Sequence, residues 1–345
     1  MKKMIRGSMA ALLAALMLAG CGGQTSTPAS TPSSGAASAS STGSQPAEGA
    51  SYVVGVCQLA PHDALDAATQ GFQDALKEAL GDQVTIEVKN AAGDTPTCAT
   101  IVNGFVSSGV DLIMANATAS LQAAVSATSD IPILGTSVTE YGVALGIDDF
   151  SGTVGTNVSG TSDLAPLDQQ AAMLQEWFPD AKTVGLLYCS AEPNSQYQVD
   201  VVQAELEKLG YTCTQYPFSD TNDMSSVTQN AADNSDVIYV PTDNTVANNT
   251  GVVDNICRGA GVPVFAGEEG ICSGCGVATL SISYYDLGVL TGQMAAQILT
   301  GEADVSEMPI QYVSDFTPKY NAEICAALGL TAPEGYEAIA TEAAE

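Results

Sequence analysis

The sequence predicts an α/β protein built from two doubly wound parallel-sheet lobes that are joined by a multi-strand hinge. Three observations lead to this prediction. Short β-rich runs alternate with segments of helical hydrophobic period, this order occurs twice, and a stretch rich in Gly, Ser and Thr lies between the two copies. Strands that alternate with helices form right-handed βαβ units on a parallel sheet. Each copy therefore predicts one lobe.

The first copy begins with a β-rich run at Tyr52–Cys57. A helix is predicted over Asp63–Leu80, where apolar side chains recur at helical spacing: Leu65, Ala68, Phe72, Leu76 and Leu80. The next elements are predicted in the order strand, helix, strand, helix, strand: Val84–Val88, about Cys98–Ser107, Val110–Met114, Ala119–Ala127 and Pro132–Leu134.

The second copy repeats this order with nearly the same spacing. Its elements run strand, helix, strand, helix, strand, helix, strand: Thr183–Tyr188, Ser195–Leu209, Tyr211–Tyr216, about Met224–Ala232, Asp236–Val240, Val246–Gly259 and Val262–Phe265. The match in order and spacing indicates that the two lobes share one architecture.

Three segments are predicted to cross between the lobes. The composition of Gly152–Asp163 is typical of a hinge rather than a packed element. A second crossing is expected at Thr279–Ser283, ahead of a helix over Tyr284–Thr300, and a third near Tyr312–Phe316. Lobe one would then contain residues 51–160 and about 283–312, and lobe two residues 161–282 and about 313–339. A ligand would lie between the carboxyl ends of the two sets of strands.

The first 50 residues predict export and a lipid anchor. A basic head and a short apolar run end in small residues before Cys21, as in a bacterial lipobox, so residues 1–20 are predicted to be a lipoprotein signal peptide. A simple secretory signal with an incidental cysteine is the alternative. Residues 21–50 are rich in Ser, Thr, Pro, Ala and Gly, which predicts a flexible tether. We expect the protein at the extracytoplasmic face of the cell membrane, held by Cys21.

The charge balance excludes several partners. The chain has 9 Lys and Arg against 39 Asp and Glu, a formal net charge of −30, and three of its cations lie in the predicted signal peptide. Such an acidic chain is not expected to bind nucleic acid or anionic headgroups. The other cations form no cluster, which argues against a phosphate pocket built on Arg or Lys. We expect a monomer.

No catalytic or metal-binding motif stands out. Cys272-Ser-Gly-Cys275 has the spacing of half a zinc site or a redox motif, but no second such pair exists and the single histidine, His62, is remote in sequence. Small buried thiols or a local disulfide explain these cysteines better. The G-x-S-x-G, phosphate-loop and HExxH patterns are absent from the sequence. We therefore predict that the protein is not an enzyme and uses no cofactor or metal.

The ends of the predicted strands give the candidate ligand-binding residues of lobe one. These residues follow its first, third and fourth strands: Gln58, His62, Asn116, Thr118, Thr136 and Ser137. Each can also have a local role. His62 could be a solvated loop residue, and Thr118 could cap its own helix.

The same reasoning gives the candidates of lobe two: Asn194, Ser195, Thr242, Asp243, Asn244 and Glu268, with Tyr284 or Tyr285 reaching the cleft from the crossover helix. Asn244 could instead cap its helix. Asp243, with Glu268 nearby, suits a ligand ammonium, and the helix that Ser195 opens can accept a carboxylate through its N–H groups. An α-amino acid fits this pattern better than a sugar or a nucleotide.

Several separated motifs resemble one family. The segments that carry the resemblance are His62 with Ala64-Leu65-Asp66, Asn157–Asp163, Pro241–Val246, Gly267-Glu268 and Tyr284–Gly288. They are similar to ABC-transporter substrate-binding lipoproteins of the group that includes tryptophan- and tyrosine-binding members, over about Tyr52 to Leu330. The resemblance implies a type I periplasmic-binding-protein fold and delivery of a small solute to an ABC permease and its ATPase.

The family's ligand-binding positions carry over to part of the same set: Thr118, Asn194, Ser195, Thr242, Asp243, Asn244 and Glu268. Two departures concern the ligand. Ser283 stands where an acidic residue is expected, and an aspartate-proline pattern is missing around Thr139-Glu140-Tyr141. An aromatic amino acid is thus a family-level expectation. The alternatives are a nucleoside or another neutral polar solute, and a stand-alone ligand sensor.

Overall fold

The computed structural model describes residues 51–340. The predicted signal peptide, the tether and Cys21 lie outside these residues. Within them, no helix combines the length and the apolar composition that a membrane span requires. The described part of the chain contains two mostly parallel sheets covered by helices, so the predicted α/β fold class is confirmed.

The first sheet has six parallel strands. The elements of this half are β1 Tyr52–Gln58, α1 Asp63–Leu80, β2 Val84–Asn90, α2 Thr95–Ser108, β3 Leu112–Asn116, α3 Thr118–Ala127, β4 Ile133–Val138, α4 Tyr141–Leu145 and β5 Val158–Ser162. The strands lie in the order β2-β1-β3-β4-β5, and a short strand β11 (Gln311–Tyr312) completes the edge. We call this sheet and its helices lobe one.

The second sheet repeats that order. Its elements are α5 Leu167–Trp177, β6 Thr183–Cys189, α6 Pro193–Lys208, β7 Thr212–Phe218, α7 Thr221–Asn234, β8 Val237–Val240, α8 Asn244–Ala247, α9 Thr250–Ala260, β9 Val264–Ala266, α10 Glu269–Cys275 and β10 Ala278–Ser281. The strand order is β7-β6-β8-β9-β10, followed by an antiparallel strand β12 (Thr317–Tyr320) and by β13 (Glu337–Ala338). A helix α12 (Ala322–Leu328) lies between β12 and β13 in sequence. This sheet and its helices form lobe two.

Local sequence explains where the helices begin and end. The Asp94 carboxylate caps α2 by accepting the Thr97 N–H at 3.0 Å, and the helix stops at Gly109, whose φ of 68° favours glycine. Strands β3 and β4 are buried along their whole length, as expected for parallel strands covered on both faces.

The chain passes between the two sheets three times, at residues 163–166, 282–283 and 313–316. The second passage leads from β10 into a helix α11 (Tyr284–Leu299), which packs on α1 in lobe one. The three passages place the carboxyl ends of both sheets beside one cleft.

One predicted hinge is a packed strand. Residues 158–162 of the Gly152–Asp163 segment form the buried strand β5. Their small size reflects close packing, because a Cβ on Gly160 would lie 2.1 Å from the carbonyl oxygen of Gly135. The Thr161 hydroxyl also pairs with the Thr291 hydroxyl at 2.8 Å. Only the end of the segment, at Asp163, belongs to the crossing.

The single helix predicted over Val246–Gly259 is two helices. The chain breaks at Asn248 and Asn249, between α8 and α9. The first piece starts at Asn244, directly after the Asp243 cap and two residues earlier than the apolar period indicates, and it ends at Ala247.

Candidate functional site

A small cavity lies between the two lobes, at the carboxyl ends of the strands. Both lobes contribute to its wall, together with Asp163 of the first crossing and Tyr284, which directly follows the second. The residues that line it are His62, Ala64, Leu65, Ser137, Thr139, Asp163, Asn194, Thr242, Asp243, Asn244, Ala247, Glu268 and Tyr284.

Eight of the residues predicted from the sequence line this cavity: His62, Ser137, Asn194, Thr242, Asp243, Asn244, Glu268 and Tyr284. They come together because equivalent strands of the two sheets end at the same cleft. Of the two adjacent tyrosines, Tyr284 is buried against the cavity, whereas Tyr285 is 42% exposed and donates to Asp74.

Gln58 and Asn116 do not line the cavity. Both side chains turn to helix α1 instead. The Asn116 amide donates to the carbonyl oxygen of Leu65 at 2.8 Å, and the Gln58 carbonyl accepts the Thr69 hydroxyl at 2.7 Å. The sequence places these residues correctly at strand ends, but their amides hold α1 against the sheet.

Thr118, Thr136 and Ser195 also lie behind the wall rather than in it. Thr118 is the buried first residue of α3, and Thr136 accepts the Thr161 hydroxyl at 3.1 Å. Ser195 is fully buried and accepts a hydrogen bond from the amide of its neighbour Asn194 at 3.3 Å. None of the three lines the cavity, and Ser195 supports the lining residue Asn194.

Ser137 presents a free hydroxyl to the cavity. It is the fifth residue of β4 and has a φ of 53°, which is uncommon for a residue other than glycine. Its Oγ is buried and has no hydrogen-bond partner among the described residues. Strained backbone and an unpaired buried polar atom both cost free energy and persist mainly at functional positions.

Asp163 is the most informative residue that the strand-end reasoning missed. Its side chain is 6% exposed, and its Oδ2 accepts the Tyr284 hydroxyl at 2.9 Å. Its Oδ1 is buried without a partner among the described residues. Burial raises the pKa of this carboxyl, because the charged form loses its water. The sequence feature that could have identified Asp163 is its position at the end of the Asn157–Asp163 motif.

Asp243 and Glu268 line the cavity but are already used as helix caps. The two oxygens of Asp243 accept the N–H groups of Cys189 and Val246, at 2.7 and 2.9 Å. Glu268 accepts the N–H groups of Gly270 and Ile271. Burial is the main cause that raises the pKa of both carboxyl groups to about 7. Asp243 therefore has a local structural role, which the sequence reading had ranked below ligand binding.

The rest of the wall is neutral. Ala64, Leu65 and Ala247 supply apolar surface, and the hydroxyls of Thr139 and Thr242 supply neutral polar groups. None of the Lys and Arg side chains of residues 51–340 lines the cavity. The argument from strand ends does not identify these apolar residues, because they lie in helices. Ala64 and Leu65 are in the first turn of α1, and Ala247 is the last residue of α8. The wall suits a small ligand that carries an amine and an apolar group.

The lobes touch directly at the edge of the cavity. The Nε2 of His62, which precedes α1, lies 3.2 Å from the Oδ1 of Asn244, the first residue of α8. Burial lowers the pKa of His62. Asn244 is held from behind by the Glu192 carboxylate, which accepts its side-chain amide at 2.7 Å.

Comparisons with known proteins agree with this architecture. Residues 53–344 match the family model described as ABC transporter substrate binding protein. The chain is 34% identical over 280 residues to the tyrosine-binding protein of Clostridioides difficile (strain R20291), which covers 80% of this chain and 81% of that protein.

Two solved structures are also similar. The complex of an ABC domain with L-Trp from Streptococcus pneumonia has a TM-score of 0.80 and 33% identity, covering 84% of this chain and 100% of that one. A ligand-free, open substrate-binding protein with adhesive properties from Clostridium difficile has a TM-score of 0.65 and 38% identity over the same shares.

A match over nearly all of residues 51–345, and an identity above 30% over four fifths of the chain, establish the family. Its members bind small molecules for ABC transporters outside the cytoplasm and are not enzymes. The cleft between two similar lobes, lined from both sides and containing unpaired polar atoms, is what such binding requires. The chain belongs to the ABC transporter substrate binding protein family.

Proposed function

We propose that this protein captures an aromatic L-amino acid, of the tyrosine or tryptophan kind, in the cavity between its lobes. The observation that carries the proposal is the pair of buried, unpaired polar atoms on its wall, Ser137 Oγ and Asp163 Oδ1. A ligand that bonds to both atoms would offset the cost of leaving them buried without partners.

In this proposal Asp163 takes the role of amine acceptor that the sequence suggested for Asp243. Asp163 has a free oxygen, whereas both oxygens of Asp243 accept backbone N–H groups. The ligand carboxylate is received by neutral donors, namely the hydroxyls of Ser137, Thr139 and Thr242. The aromatic ring packs on Ala64, Leu65 and Ala247. Two relatives support this ligand class, since one is named for tyrosine and the other contains L-Trp.

Ligand capture works by closure of the lobes. A ligand held by both lobes stabilises the closed form through its differential affinity for that form. The fold of this chain superposes better on the L-Trp complex than on the ligand-free, open relative. Because the open relative is the more similar of the two in sequence, this difference supports closure.

The closed form delivers its ligand to an ABC permease and its ATPase, and Cys21 holds the protein at the outer face of the membrane through a lipid. The lipobox-like sequence before Cys21 and the family membership support this part. Replacing Cys21 by alanine should move the protein from the membrane fraction to the soluble fraction of cells. A variant that stays in the membrane fraction would contradict the lipid anchor.

The ligand is tested by thermal shift with the full chain, purified and stripped of ligand, against amino acids, nucleosides and small sugars. A ligand at 100 times its Kd should add about 2.7 kcal/mol to the free energy of unfolding. A shift with L-tyrosine or L-tryptophan supports the proposal. A shift with nucleosides alone would overturn the ligand and keep the binding role.

The role of Asp163 is tested by calorimetric titration of the same amino acids into the Asp163→Asn variant. Loss of one partner of a buried charge pair should weaken binding by about 2–5 kcal/mol. Asp168→Asn is the matched control, because it removes the same charge from an exposed position five residues away, and its Kd should stay unchanged. Equal affinity of Asp163→Asn and the parent would exclude Asp163 as the amine acceptor.

A further inference from the structure

His62 and Asn244 join the lobes by a direct side-chain contact. His62 belongs to lobe one and Asn244 to lobe two, and both line the cavity. A hydrogen bond of 3.2 Å between them can exist only when the lobes are together. The closed form therefore contains a favourable interlobe interaction that does not depend on an occupant.

Glu192 orients Asn244 for this contact. One oxygen of Glu192 accepts the backbone and side-chain N–H groups of Asn244, at 3.1 and 2.7 Å, and the other accepts the N–H and hydroxyl of Thr245, at 2.9 and 2.8 Å. Because the Asn244 amide nitrogen is turned to Glu192, its Oδ1 is turned to His62. Glu192 is the residue before α6, yet its carboxylate does not cap that helix.

Lobe one holds His62 in a matching way. The backbone carbonyl of His62 accepts the Asp66 N–H at 3.0 Å, and the Asp66 carboxylate accepts the Gln58 amide. Gln58 lies at the end of β1, so His62 is fixed relative to the sheet. Each partner of the interlobe contact is thus braced by its own lobe.

We propose that His62 and Asn244 form a latch that favours the closed form of the ligand-free protein, and that Glu192 is the positioning residue for Asn244. This inference rests on the proposed function in one respect, since the latch closes the cavity that holds the ligand. The free energy of the latch adds to the binding free energy of every ligand that the cleft accepts. The latch therefore tightens binding without changing selectivity.

Charged groups surround His62 on both lobes. Asp63 and Asp66 face it from α1, and Glu192 faces it from lobe two. The other carboxyl groups at the cavity are Asp163, Asp243 and Glu268. Gln is the replacement that separates hydrogen bonding from charge, because it keeps an N–H donor and does not titrate.

The first test uses no ligand. Small-angle X-ray scattering of the ligand-stripped full chain should give a larger radius of gyration for His62→Ala and for Asn244→Ala than for the parent. The double variant should be no larger than either single variant, since each removes the same bond. Unchanged radii in both single variants would overturn the latch, whatever the ligand proves to be.

The second test measures the Kd of L-tyrosine and L-tryptophan by calorimetry. His62→Ala and Asn244→Ala should each weaken binding by about three- to tenfold, the range of one hydrogen bond. The double variant should lose no more than a single one, and His62→Gln should recover most of the loss. Additive losses in the double variant would show that the two residues act separately and would contradict the latch.

The positioning role is tested with Glu192→Gln, with Glu207→Gln as control at an exposed position of α6, the helix that Glu192 precedes. Glu192→Gln should weaken binding about threefold, and this loss should vanish when Asn244 is already alanine. A loss that persists in the Asn244→Ala background would contradict positioning. Absence of binding by either amino acid would count against the proposed function, while the scattering experiment still decides on the latch.

Discussion

At the scale of single residues, the cavity is defined by polar groups that have nowhere else to bond. Ser137 Oγ and Asp163 Oδ1 are buried and unpaired among the described residues, whereas Asp243 and Glu268 accept two backbone N–H groups each. All three carboxyl groups are at least 94% buried and none has a basic partner on the cavity wall. The cost of this arrangement should be visible in the pH dependence of stability.

We expect the ligand-free protein to become more stable when the pH is lowered from 8 to 6. Burial raises the pKa of Glu268 from its ordinary 4.5 to about 7, so in this range the folded protein takes up a proton that the unfolded chain does not. The stabilisation that comes from protonated Glu268 is present at low pH and is lost as the pH rises through 7. Asp243 acts in the same direction, with a pKa of about 7. His62, whose pKa burial lowers, opposes the trend as the pH falls through about 6.5.

The measurement is the urea midpoint as a function of pH. Glu268→Gln should flatten the dependence, because the amide carries no charge at any pH. Glu302→Gln, which changes an exposed residue, should leave it unaltered. A parent protein whose midpoint falls on acidification from pH 8 to 6 would contradict the assignment of these buried carboxyl groups.

At the scale of elements, the pair of helices α1 and α11 determines how lobe one is assembled. They approach so closely that a Cβ on Gly288 would lie 2.0 Å from the carbonyl oxygen of Ala68, and one on Gly71 would lie 2.1 Å from that of Tyr285. Because α11 follows the second crossing and α1 follows His62, this contact connects the hinge with the wall of the cavity.

Gly288→Ala should therefore destabilise the protein by about 1–3 kcal/mol or more, since the added methyl meets backbone that can move only with its helix. Gly104→Ala is the matched control, because Gly104 lies in α2 with open space around it. There alanine should stabilise the protein by about 0.5–1 kcal/mol. Chemical denaturation measures both, and equal effects of the two substitutions would contradict the tight contact.

At the scale of the whole molecule, net charge opposes folding. A formal charge of −30 on 345 residues produces self-repulsion, and only nine basic residues balance it. Salt screens such repulsion over about 10 Å at 0.1 M ionic strength. The five ion pairs of the described residues are all at least partly exposed to solvent and should lose little when salt is added.

We therefore expect the Tm to rise when sodium chloride is increased from about 0.02 to 0.2 M. Sucrose at equal osmolality is the control, because it does not screen charge. A Tm that falls with salt would mean that favourable ion pairs outweigh the excess of negative charge.

Much of the fold could be read from hydrophobic period. Helix α1 was predicted with its observed bounds, and the repeated order of strands and helices gave two lobes with the same strand order. The sequence reading went wrong at β5 and at the break between α8 and α9. At β5 the small residues are explained by a contact with a distant segment, that of Gly160 with Gly135, and not by local propensity.

The sequence by itself determined the fold class and the strand ends from which the cavity is built, because apolar periodicity and chain order are local properties. It did not determine which polar side chains at those ends face a ligand. Asn116 turns to α1, Asp243 caps α8, and Asp163 is left with a free oxygen. Only the tertiary structure decided this, since a buried polar atom is free or satisfied according to which distant backbone groups are packed within hydrogen-bond reach.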